Sequence, residues 1–279
     1  MTRSSLCLLL GSASWLGACT APAGAPAVTP EPPHYLYSYF TGNGEDGLHL
    51  AHSRDGLEWT ALNGGRSLLA PLVGESKLMR DPSILRGPDG TFHMVWTAGW
   101  TERGIGYAHS RDLVTWSEQR YLPVMAHEPA ARNTWAPELF YDEATSRFLI
   151  VWATTIPGRF PATDGQDARA GNPGYNHRLY YVATRDFQAF TPAALFYERG
   201  FNVIDGALFR DRARYVLVLK DETNLPFPPQ KNLRLAFADR AEGPYSEPTP
   251  PITGAYWAEG PTPLLLGGRW HVPLDRFSR

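Results

Sequence analysis

Four stretches of the chain share one alternation of apolar and polar positions and end in the same way. They are LHLAHSRDGLEWTAL (48–62), IGYAHSRDLVTWSEQ (105–119), LYYVATRDFQAFTPA (179–193) and LRLAFADRAEGPYSEP (233–248). Each alternates with a period of two, the spacing of a half-buried strand. Each then reaches a small residue and breaks into a polar turn with an aspartate and an aromatic. The aspartates are Asp55, Asp112, Asp186 and Asp239. A second element lies between these stretches: GPDGTFHMVWT (87–97), YDEATSRFLIVWAT (141–154), FRDRARYVLVLKD (209–221) and LGGRWHVPLD (266–275). Each is a polar turn followed by an alternating strand, the signature of a hairpin. A third element precedes each hairpin: RDPSIL (80–85), WAPELF (135–140), IDGALF (204–209) and EGPTPL (259–264). A unit of short strands recurring at roughly fifty to seventy residues predicts the blades of a β-propeller. A sandwich does not account for the regular recurrence, and no long helical stripe supports an α/β fold.

Composition agrees. The chain has 279 residues, 43% hydrophobic and 13% aromatic, with 26 Gly and 25 Pro, which suits a turn-rich all-β protein with a real core. The net charge of −2 argues against binding nucleic acid by phosphate neutralisation. Two cysteines exclude a disulfide framework and a Cys-based zinc site, and no HExxH spacing occurs.

The N-terminus changes the expected location. Residues 1–18 carry Arg3, a short apolar stretch from Leu6 to Leu10 and then small residues, the pattern of a secretory signal too short to span a membrane permanently. Leu16-Gly17-Ala18-Cys19 resembles a bacterial lipobox, which implies lipidation of Cys19. The expectation is an exported lipoprotein held to the membrane by its lipid alone. Residues 19–33 are an Ala/Pro-rich tether, and 34–279 are the folded domain.

The third element carries the candidate chemistry. Asp81, Glu138, Asp205 and Glu259 are read as occupying one address at the start of the first strand of successive units. In a propeller that strand lies nearest the axis, so residues far apart in sequence meet in a central funnel. Clustered carboxylates repel and raise one another's proton affinity, which suits general acid–base cleavage of glycosidic bonds. An Asp before Pro is also an ordinary turn residue.

RDPSI, WAPEL, IDG and AEGP, in that order, resemble glycoside hydrolase family 43, five-bladed β-propeller enzymes that cleave arabinose-, xylose- or galactose-containing polysaccharides with inversion. The resemblance covers roughly residues 35–277. It implies Asp81 as general base, Asp205 as the acid that orients and tunes, and Glu259 as general acid. Glu138 is left to sugar binding or structure. Trp135, Arg80 and Trp257 are candidates to contact substrate, with core packing or a surface turn as the alternatives. The resemblance implies no required cofactor and allows a structural calcium near the axis. The Gly/Pro-rich insertion 157–176 is expected to rim the pocket. The fifth unit begins near Trp257 with room for only two strands, so the last blade is expected to be incomplete and the chain truncated relative to such relatives. A sugar-binding propeller without activity and a propeller glycoside phosphorylase remain as alternatives. The sequence does not set the oligomeric state.

Overall fold

The computed structural model describes residues 34–167 and 174–277. The signal segment, Cys19 and the tether lie outside the described residues. None of the helices described is long and apolar enough to cross a membrane.

The fold is an all-β propeller of five sheets in chain order. The first contains β1 (Tyr35–Tyr39), β2 (His49–Ser53) and β3 (Thr60–Ala61). The second contains β4 (Arg80–Arg86), β5 (Phe92–Thr97), β6 (Ile105–Ser110) and β7 (Arg120–Leu122). The third contains β8 (Trp135–Asp142), β9 (Arg147–Thr155), β10 (His177–Thr184) and β11 (Ala194–Tyr197). The fourth contains β12 (Val203–Asp211), β13 (Arg214–Asp221) and β14 (Asn232–Ala238). Residues Ser246, Thr249 and Ile252 donate backbone hydrogen bonds along the outer edge of β14.

The fifth blade is smaller. Its strands are β15 (Trp257–Glu259), β16 (Leu264–Leu266), β17 (Arg269–His271) and β18 (Asp275–Phe277). β16 pairs with β17, and β15 with β18, in registers that differ by one residue. These four pieces are therefore one hairpin of two interrupted strands, as the sequence leads one to expect.

The predicted elements explain why these residues fold this way. Asp55, Asp112 and Asp186 close the turns after β2, β6 and β10. Each carboxylate accepts two backbone N–H groups, from Leu57 and Glu58, Val114 and Thr115, and Gln188 and Ala189. These bonds hold all three acids below the ordinary carboxylate range, Asp112 at about 2. A hydroxyl from Ser53, Ser110 or Thr184 completes each turn. The fourth unit has Ala238 at that position, and its turn is closed by Gly243 N–H on Arg240 O.

Four apolar clusters fill the spaces between adjacent sheets. Leu50, Met79 and Trp96 lie between the first and second blades. Val95, Leu139 and Trp152 lie between the second and third. Leu179, Leu208 and Leu217 lie between the third and fourth. Phe209, Val218 and Ala258 lie between the fourth and fifth. Gly106 pairs directly with Trp96, and a Cβ there would meet the indole at 1.9 Å, so only glycine admits this buried ring.

Candidate active site

The first strand of each of blades two to five is broken by the same irregularity. The register against the second strand slips by one residue between Arg80 and Ser83, between Trp135 and Glu138, and between Ile204 and Ala207. In the fifth blade the slip falls between Glu259 and Leu264. Just after the start of each slip sits a residue with left-handed backbone: Asp81 (φ 49°), Ala136 (φ 46°), Asp205 (φ 50°) and Gly260 (φ 59°). Such a bulge re-aims side chains, and Asp tolerates this conformation better than most residues.

This geometry corrects the single address read from sequence. Asp81 and Asp205 are equivalent, but the third-blade equivalent is Ala136, and Glu138 lies two residues further on. Glu259 lies one residue before its bulge and is equivalent to Arg80. Glu259 therefore reaches the site from a neighbouring position of the motif.

Asp81, Asp205 and Glu259 nevertheless come together. The N–H of Gly260 donates to Asp205 Oδ2 at 3.1 Å, which ties the peptide after Glu259 to Asp205. Burial raises Asp205 to about 7, against the attraction of Lys220, and Glu259 and Asp81 push it further up. Burial also raises Asp81. Arg80 and a hydrogen bond from Thr97 oppose that shift, while Glu259 and Asp275 add to it. Asp275 is raised by burial and by Glu259. Four carboxylates from blades two, four and five thus share one electrostatic environment.

Their supports sit opposite them on the second strand of a blade. Thr97, which pairs with Arg80, donates its hydroxyl to Asp81 Oδ2 at 2.9 Å and accepts the N–H of Ala136 at 2.8 Å. Lys220 pairs with Ile204 and reaches Glu259 Oε2 at 2.7 Å. Asp275 pairs with Glu259 itself. Thr97, Lys220 and Asp275 were not singled out by sequence. The one available signal was a lysine inside the apolar run VLVLKD.

An aromatic rim borders the cluster. The Arg80 guanidinium lies between Trp100 and Phe40, 4.4 and 4.7 Å from their ring centres. Asn43 Oδ1 accepts hydrogen bonds from Arg80 Nη1 (3.0 Å) and Trp100 Nε1 (3.1 Å). Trp135 donates its indole N–H to Trp100 O and meets that ring edge-on at 5.4 Å. Tyr175 and His177 pack on Trp135 at 4.6 and 4.9 Å. His177 is buried and pushed down to about 3, first by burial and then by Lys231, Lys220 and Arg178, so it is neutral. Trp257 is half-buried, two residues before Glu259 on β15. The described part of the insertion, through Tyr175, contributes to this rim.

Glu138 is separate. Burial pushes it up to about 7, with a Ser83 hydrogen bond opposing. Its native pKa exceeds its unfolded one, so the folded protein keeps a proton that the unfolded chain releases. Stability from this group is therefore full below about pH 4 and falls as pH rises towards 7. Glu138→Gln should stabilise the protein by about 2–3 kcal/mol at pH 8 and leave it unchanged near pH 4. Denaturant unfolding at the two pH values checks this, and equal effects at both would refute it.

A shallow cleft lined by Phe140, Asp142, Arg210 and Arg212 lies at the opposite end of the blades, and none of the clustered carboxylates lines it. Among the described residues no three His, Cys, Asp or Glu side chains are grouped to hold a metal ion.

A family model described as a probable glycosyl hydrolase domain, of the type related to family 43, matches residues 31–242, a span that includes Asp81 and Asp205 and stops short of Glu259. An α-L-arabinofuranosidase of Bifidobacterium longum subsp. longum is 23% identical over 161 residues, 52% of this chain and 15% of that protein. A xylan β-1,4-xylosidase from Bacillus halodurans C-125 superposes with a TM-score of 0.59 at 18% identity, over 88% of this chain and 47% of that one. An endo-1,4-β-xylanase from Bacteroides thetaiotaomicron VPI-5482 superposes with a TM-score of 0.60 at 13% identity, over 87% and 80% of the two chains. The chain thus spans less than half the length of the first two relatives.

Proposed function

The chain belongs to the glycosyl hydrolase family related to family 43, and from that premise we propose that it hydrolyses glycosidic bonds of arabinose- or xylose-containing saccharides, with galactosides as a further class. The observation that carries this reading is the meeting of Asp81, Asp205 and Glu259 from three blades.

In the proposed reaction a water molecule attacks the anomeric carbon and gives its proton to Asp81. The electron pair of the breaking C–O bond stays on the leaving oxygen, which takes a proton from Glu259. The products are an alcohol and a sugar of inverted configuration. Such a single displacement leaves space for the water, with carboxyl groups about 6.5–9.5 Å apart. Asp205, near neutrality in its own proton affinity, orients Glu259 through the Gly260 peptide. Trp100 and Trp135 offer apolar faces for a sugar ring, and Arg80, Glu138 and Trp257 are further candidates to contact substrate.

Aryl arabinofuranosides, xylosides and galactosides, followed by proton NMR of the first-formed anomer, test this. Release of one pentose as the inverted anomer supports the reading, and a retained anomer refutes the mechanism. Sugar phosphate formed only with added phosphate would refute hydrolysis. The lipid anchor at Cys19 is proposed with it, and fatty-acid labelling lost on Cys19→Ser is the check.

A further inference from the structure

Lys220 is a cation with almost no contact with water. Its side chain is 2% exposed, and it bridges Glu259 Oε2 and Glu222 Oε2, each at 2.7 Å. The charges alternate beyond it. Glu222 also receives Lys231, another 2% exposed lysine, which lies 4.0 Å from Asp167 of the insertion. Gln166 in turn accepts backbone N–H groups from Asn224 and Leu225. A braced row of ionic groups therefore runs from the insertion to one oxygen of Glu259. Glu259 itself is 43% exposed and sits on a three-residue strand of the smallest blade. Neither feature fixes a glutamate side chain, which loses considerable rotamer freedom when held.

We propose that Lys220 is a positioning residue of the Glu259 carboxylate, beside Asp205, which holds the peptide that follows Glu259. Lys220 pins Oε2 against blade four and so leaves Oε1 as the oxygen that meets the leaving group. The inference rests on the hydrolase reading. In this reading Lys220 acts on Glu259 by direct contact and on Asp205 by its charge, and is not one of the groups proposed to contact substrate.

Loss of Lys220 should harm only those substrates that need a well-placed acid. An alcohol leaving group requires a proton as the C–O bond breaks, whereas a dinitrophenolate leaves without one. Lys220→Met combined with Glu222→Gln removes one buried cation and one buried anion, so the net charge is unchanged, and Lys231 keeps an amide oxygen in place of the Glu222 carboxylate and Asp167 at 4.0 Å. This double variant is expected to lose about 10²-fold in kcat on a pentose oligosaccharide and less than about five-fold on a 2,4-dinitrophenyl pentoside. Equal losses on both, or none on either, would overturn the proposal.

A second measurement does not depend on turnover. With Lys220 present, in the Glu222→Gln background, adding Glu259→Gln should lower Tm by roughly 2–4 °C. In the Lys220→Met/Glu222→Gln background it should not lower Tm. The same change in both backgrounds would show that the pair does not hold Glu259 in solution. If the unsubstituted protein cleaved neither glycoside, the hydrolase reading would fail, and this stability cycle would still decide whether Lys220 holds Glu259.

Discussion

Asp81→Asn is expected to lower kcat on an aryl pentoside by about 10²–10⁴-fold with the fold intact, the usual scale for a lost general base. The amide cannot take a proton from water. Its oxygen can still accept the Thr97 hydroxyl that Asp81 now receives at 2.9 Å. Asn also accepts the left-handed backbone at this position (φ 49°) more readily than other residues. KM should therefore change little.

The pH profile should change as well. Burial, Glu259 and Asp275 raise Asp81 above the ordinary carboxylate range. A base must be ionised to act, so the acid limb of kcat/KM should lie above that range in the unsubstituted protein and disappear in the variant. Steady-state rates from pH 4 to 9 give the result. A loss under three-fold would remove Asp81 from the proposed mechanism.

The second large effect is on stability. Lys220→Met alone should destabilise the protein by about 3–5 kcal/mol, the cost of leaving buried charges uncompensated. Glu222 is only 12% exposed and would lose one of its two cations, and Glu259 would lose its ammonium contact. Asp205 would lose the one attraction from a cation that opposes its upward shift.

Lys220 itself is raised above its ordinary value. Burial opposes that shift, and Glu222, Asp205 and Glu259 outweigh burial. A lysine raised on folding stabilises at every pH below its unfolded pKa and loses that contribution only as pH climbs through the folded one. The deficit of the variant should therefore persist across the neutral range. Denaturant melts at pH 6 and pH 8 test this, and a deficit below about 1 kcal/mol at pH 8 would contradict the bridging role, being no more than an exposed pair contributes.

Much of the architecture was legible along the chain, for a local reason. A strand shows its buried face by period two, and the turns after Ser53, Ser110 and Thr184 are closed by side chains two residues away. These are short-range interactions, so a repeat of them writes the blade into the sequence. Asp81 and Asp205 were found because they recur in such a repeat. The same reasoning misplaced Glu138 and Glu259 within the motif. A one-residue bulge leaves no mark in composition or period, and alignment by tetrapeptide counts through it.

Thr97, Lys220 and Asp275 were invisible for a related reason. Each supports the site by standing across a strand pair from the slipped residue or beside it, and cross-strand partnership depends on register. Lys220 also runs against the expectation that a lysine faces water. What the sequence by itself determined is the repeating unit, its strands and the two aspartates carried on it, because local alternation and turn chemistry specify these. What only the tertiary structure decided is which residues of different blades touch. Bulge register and the burial of a charge are settled when the sheets pack, and there Lys220 meets Glu259.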